Sequence, residues 1–243
     1  MTGDNFVEGI WQGHLIEELC WWEKKSEERS TNLSAPTWSW ACSNLETNPS
    51  FLFQFHGEHA GRHTEAELID LDTKAGASDK ADKDALKLSC KLLRAIFTPA
   101  TTFERLDNDF TGTLELVDQG SMLKCRTPPR VANPNLAINI DSSYVGTSRK
   151  QNGYIVIFQR CFHDQRLRDL LEPGTECSTI PEEFQKSGLF TDGGGLEALF
   201  IQARNETRDE FERLGFIRCN HVSTVTMMYK AHLRAEKTVI TLV

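Results

Sequence analysis

No run of about 18 consecutive apolar residues occurs in the chain, which excludes a membrane-spanning helix. The opening residues, Met-Thr-Gly-Asp-Asn, hold no basic segment followed by an apolar one, so no secretory signal is expected there. Cysteines are present but never close together. The seven, Cys20, Cys42, Cys90, Cys125, Cys161, Cys177 and Cys219, are odd in number and scattered singly. That spacing argues against a disulfide framework and against a CxxC zinc site. The thiols read instead as small hydrophobes in a cytoplasmic protein. There is no G-x-S-x-G elbow and no Walker motif. Positive charge is in deficit: 27 Lys and Arg stand against 35 Asp and Glu, for a net charge of −8. A nucleic-acid binder needs a basic face to displace counterions from phosphate, so nucleic acid is not expected as a partner.

What is there is globular in composition, 39% hydrophobic and 26% charged over 243 residues, enough for a sizeable core. From Phe6 to Lys25 apolar residues recur at helical spacing; Leu15, Ile16, Leu19 and Trp22 share a face, and Gly13 marks the start of a predicted N-terminal helix. Lys24 to Ser34 reads as a loop. Phe51, Phe53 and Phe55 alternate as a strand does. Residues 73–84 are small, polar and charge-mixed, a solvated loop.

Strand signals then follow in series. Leu86, Leu88, Cys90 and Leu92 alternate with Lys87, Ser89 and Lys91, Leu114 and Leu116 flank Glu115, and Leu136, Ile138 and Ile140 alternate with Ala137, Asn139 and Asp141. Ile155 to Phe158 is apolar without a break, which predicts burial on both faces. Leu199 to Ile201, Leu214 to Ile217 and Val239 to Val243 complete the set. Short connecting helices are predicted at Gln165–Glu172, near Pro181 and around Thr226–Glu236. With no repeat and no regular strand–helix alternation, the pattern predicts a strand-rich α+β fold. Its sheet is expected to be mainly antiparallel, sandwich or barrel-like.

One block carries more than fold. Ala35-Pro36-Thr37-Trp38-Ser39-Trp40-Ala41-Cys42 resembles the A-P-S-W-S-W-A-S block of fungal heterokaryon-incompatibility (HET) domain proteins. Gly9-Ile10-Trp11 and Leu19-Cys20-Trp21-Trp22 are similar to the G-L-W…L-L-W pattern that precedes it. Arg213-Leu214-Gly215-Phe216-Ile217 resembles a late R-R-I-G-V-F segment, and Thr238-Val239-Ile240-Thr241-Leu242 resembles a terminal E-x-I-T-I strand. Thr37 departs from the family Ser, and Cys42-Ser43-Asn44 from S-V-D-G. The L-S-H-x-W-G-type segment that comes earlier in such proteins has no counterpart here.

The resemblance implies that residues 1–45 are the C-terminal remnant of a HET-type domain and that 46–243 form a strand-rich domain after it. A natural short paralogue and a truncated gene product both fit. It further implies a role in non-self recognition and programmed cell death. The chain would act as an accessory module binding a full-length HET protein or another protein, not as an enzyme. The alternative is an enzyme, either metal-dependent through the histidine loop at His56, His59 and His63 or NAD-directed as the family's link to TIR domains implies, and a non-functional remnant is a third reading. No catalytic residue and no cofactor is carried over.

The motif residues Ala35, Pro36, Trp38, Ser39, Trp40 and Ala41 are read as structural. Rings the size of Trp38 and Trp40 bury about 150–250 Å² and generally anchor a core. In an extended chain these two would share a face, with Ser39 on the other. His56, His59 and His63 would align on a helix as zinc ligands do. Gly57 and Gly61 undermine that helix, so the three read as a surface loop and only weakly as a metal site. Asp192-Gly193-Gly194-Gly195 precedes a strand and reads as a turn, not a phosphate cradle. Cys161-Phe162-His163 pairs a thiol with an imidazole, but nothing in the sequence marks either as activated.

Overall fold

The computed structural model describes residues 6–7, 10–11, 15–20, 22–23, 36, 38–39, 47–48, 62–72, 85–100, 110–126, 136–140, 150–162, 195–204 and 209–243. The short N-terminal elements are β1 (Phe6–Val7), β2 (Ile10–Trp11), the helical turn α1 (Leu15–Glu18), β3 (Trp22–Glu23) and β4 (Thr47–Asn48). The main strands begin with β5 (Arg62–Thr64), β6 (Glu67–Asp72), β7 (Ala85–Lys91), β8 (Leu93–Pro99), β9 (Phe110–Leu116), β10 (Ser121–Arg126) and β11 (Leu136–Ile140). They continue with β12 (Gln151–Cys161), β13 (Gly195–Ala203), β14 (Glu210–Cys219) and β15 (Lys237–Leu242); helix α2 (Val222–Arg234) lies between the last two. The architecture is strand-rich α+β and mostly antiparallel, as the alternation predicts.

The sheet is organised around three strands, β12, β13 and β14, paired antiparallel in that order. Both outer edges of this trio fork. The first half of β12 pairs with β8 and its second half with β5. The first residues of β14 pair with β15 and its second half with β11. On one face the pairings run β12–β8–β9–β10–β11–β14 and return through β13, a seven-strand circuit closed, among the described residues, by the bridge between Arg126 and Ala137. On the other face they run β14–β15–β7–β6, and the chain itself joins β6 back to β5 and so to β12. The result is two strand circuits that share three strands.

This arrangement explains the unbroken apolar run. Side chains alternate across a strand, and here each face of the trio has its own core. Ile155 and Ile157 lie in the first core with Phe97, Leu114, Ile138, Phe200 and Ile217. Val156 and Phe158 lie in the second with Leu86, Leu88, Leu199, Phe211, Phe216 and Ile240. Helix α2 packs Val222, Val225, Met228, Tyr229 and Ala231 into the first core. The second core takes Leu15, Ile16, Leu19, Cys20 and Trp38, so described residues on both sides of position 45 share it.

Three expectations change. The predicted N-terminal helix is one turn, Leu15–Glu18, because Trp22–Glu23 pairs as a strand with Thr47–Asn48. One turn is enough to bury Leu15, Ile16 and Leu19, and aromatic residues favour a pleated surface, so tertiary packing overrides the helical period. The tryptophan block is not extended at Trp38: the Ser39 amide donates to the Pro36 carbonyl at 3.1 Å, closing a turn. Trp38 and Ser39 are both fully buried. The last connecting helix starts earlier than Thr226, at Val222. The strand at Phe51–Phe55, the loop at 73–84 and the helices at Gln165–Glu172 and Pro181 lie outside the described residues.

Candidate functional site

A cluster of polar side chains sits where β12 changes partner from β8 to β5. The β12–β13 register shifts between Ile157 and Gln159, leaving Phe158 as the extra residue of a bulge. A bulge re-aims the side chains that follow it. Without it Gln159 would follow Ile155 and Ile157 onto the first-core face. With it Arg160 takes that face, opposite Leu196. The Phe158 carbonyl accepts the Glu65 amide at 2.8 Å, which fixes the corner between β5 and β6.

Glu65 then collects three donors from distant parts of the chain. Arg160 donates its Nε–H to Oε1. The Tyr229 hydroxyl donates to the same oxygen at 3.1 Å, and His232 Nε2 lies 3.2 Å from Oε2, so Nε2 carries the proton. Tyr229 and His232 are three apart on α2 and therefore share a face. Their rings stack with centroids 5.6 Å apart. Phe162 meets Tyr229 edge-on at 5.4 Å, and the Arg160 guanidinium lies 5.5 Å from the Phe162 ring and 5.2 Å from Tyr229.

Burial is the largest influence on Glu65 and opposes its ionisation. The hydrogen bonds from His232 and Arg160, with the charges behind them, outweigh it, and the carboxyl sits below its ordinary value. The other His232 nitrogen, Nδ1, is buried with no hydrogen-bond partner among the described residues. Lys91 secures the same end of the helix by donating to the His232 and Leu233 carbonyls at 3.1 and 3.2 Å.

A second group of charges lies in the other core. Arg213 is fully buried and donates to the Leu19 carbonyl at 3.0 Å, joining β14 to the N-terminal turn. Gln159, Glu197 and Arg218 are register partners across the central trio, and Gln159 and Glu197 are fully buried. Burial pulls the Arg218 guanidinium down, and Glu197 opposes the shift.

No family model, no curated protein and no solved structure matches this chain.

The histidines are not assembled by what is described. His63 lies exposed in β5, opposite Arg160, while His56 and His59 fall outside the described residues. Among the described residues no group of three metal-ligating side chains gathers. Cys161 is buried at the end of β12, and its proposed partner His163 is outside the described residues. Gly195 is the first residue of β13, with φ of +147°, a conformation that suits glycine. Of the motif residues, Pro36, Trp38 and Ser39 are buried; Ala35, Trp40 and Ala41 lie outside the described residues. No described helix is long and apolar enough to cross a membrane.

The Glu65 cluster was not visible in the sequence. Glu65 is 95 residues from Arg160 and 164 from Tyr229. Only the three-residue spacing of Tyr229 and His232 was readable. The bulge that turns Arg160 toward them has no sequence signature.

Proposed function

We propose that the chain is an accessory or recognition module related to fungal HET proteins, acting in the cytoplasm by binding another protein, with a full-length HET protein as the first candidate. The observation that carries this reading is convergence. The segments that resemble the family are far apart in sequence, yet Leu19, Cys20, Trp38, Phe216, Ile240 and Leu242 meet in one core. Arg213, from the late segment, bonds directly to Leu19 of the early one. Segments that share a core explain why their order and spacing would be kept together.

A binding role also suits the perturbed groups. Burial pushes the Cys90 and Cys219 thiols up to about 12, which leaves them poor nucleophiles. Both oxygens of Glu65 are engaged by neighbouring side chains. The test is co-expression with a full-length HET protein in a filamentous fungus, scoring compartment death with a vital dye. A shifted death response, with direct binding of the two purified proteins, supports the module. Unchanged death and no binding would end it, as would NAD cleavage by the purified chain alone.

A further inference from the structure

We propose that the Arg160 guanidinium is a carboxylate-binding anchor, held ready for an acidic side chain or chain terminus of a protein partner. Arginine has five N–H donors in a planar fork. Among the described residues the Arg160 guanidinium has one hydrogen-bond partner, Glu65, which takes the Nε–H. The Nη donors are left over, and the side chain keeps 20% exposure.

The group is also oriented before any ligand arrives. Glu65 fixes one edge, and the Phe162 and Tyr229 rings flank the guanidinium at 5.5 and 5.2 Å. Glu65 is itself held by Tyr229 and His232, and its corner by the Phe158 carbonyl. A fork held in this way loses little freedom on binding, which is where preorganised sites gain affinity. Planar guanidinium and planar carboxylate match through two parallel bonds.

Charge decides between carboxylate and phosphate. Ionised Glu65 cancels Arg160, so the pair has no net charge to attract a dianion, and the Glu65 oxygens repel one. A monoanionic carboxylate meets the same fork with half the repulsion. The inference stands on this geometry alone and does not depend on the kinship with HET proteins.

The test is NMR of the full chain, following the Arg160 Nε–H signal, assigned by its loss in Arg160→Lys. Sodium acetate, sodium phosphate and sodium chloride are titrated at constant ionic strength. Acetate is expected to give a saturable shift, with the Cys161 and Phe162 amides following it. Chloride is expected to give none, and phosphate a smaller shift than acetate at equal concentration. The Cys161 and Phe162 responses should vanish in Arg160→Lys, which keeps the charge but not the fork. No saturable acetate shift in the unmodified chain would overturn the proposal, whatever the variant does. A larger response to phosphate than to acetate, or amide responses that persist in Arg160→Lys, would also overturn it.

Discussion

Replacing Glu65 with glutamine keeps the shape of the side chain and removes its charge. Three donors, Arg160 Nε–H, the Tyr229 hydroxyl and His232 Nε2–H, converge on two carboxylate oxygens. Glutamine offers one oxygen, so at least one donor faces an NH₂. His232 could move its proton to Nδ1 and accept from that NH₂, but Nδ1 is buried without a described partner, so the deficit moves to another atom. A charge-assisted bond is worth about 1.5–3 kcal/mol and an unsatisfied buried donor costs about 1–3 kcal/mol. The bonds are not additive, so we expect Glu65→Gln to lose about 2–4 kcal/mol. Against a typical stability of about 5–15 kcal/mol this is a large loss.

Urea unfolding followed by far-UV circular dichroism, repeated at decreasing pH, measures it. Glu65 has a folded-state pKa below its ordinary 4.5, so its contribution is present above that value and fades as pH falls through the folded pKa. The gap between the native chain and Glu65→Gln should therefore be widest at neutral pH and narrow below 4.5. A gap within about 0.5 kcal/mol at neutral pH, the range of an ordinary surface change, would refute the reasoning. So would a gap that does not respond to acid.

Further measurements probe other parts of the fold. At Gly195, with φ of +147°, an added Cβ would lie 2.2 Å from the Cys219 carbonyl oxygen. Gly195→Ala should cost about 3 kcal/mol or more, from about 1–3 of backbone strain and a similar overpacking term. Gly120, at φ of +58° with nothing within 4 Å of a Cβ, should lose only about 1–2 kcal/mol as alanine. Equal melting shifts for the two variants would remove the distinction. Trp38→Ala should cost about 3–5 kcal/mol in chemical denaturation; unchanged stability would mean that Trp38 does not anchor the second core. Cys20, Cys90, Cys161 and Cys219 are buried, so a thiol reagent should leave them unmodified in the native chain. Mass spectrometry showing rapid labelling of Cys90 or Cys219 would contradict their burial.

The strands were legible in the sequence for a local reason. Leu86, Leu88 and Cys90 alternate because one face of β7 is buried and the other is not. The run Ile155–Phe158 announced burial on both faces, and it lies in the trio that separates the two cores. The forks were not legible. Nothing in Gln151–Cys161 says that one half pairs with β8 and the other with β5. At the N-terminus the helical period was real, but its buried residues needed only one turn. The cluster at Glu65 depends on the bulge at Phe158 and on contacts across most of the chain, and long-range pairing leaves no local trace.

The shared trio changes what can hold a strand in register. In a sheet with one wet face, a slip of one residue drives apolar side chains into water, and hydrophobicity forbids it. In β13, a slip would only exchange Leu199 and Phe200 between two apolar interiors. Solvent cannot police that error. The discrimination must come from shape and from the few positions that tolerate one neighbour. An added Cβ at Gly153 would sit 2.5 Å from the Ile201 carbonyl oxygen, and one at Gly195 would strike that of Cys219. Between them the row Gln159–Glu197–Arg218 aligns polar groups that no apolar position could receive. These residues act as the notches of a key, and a protein with two dry faces depends on such notches where others rely on water.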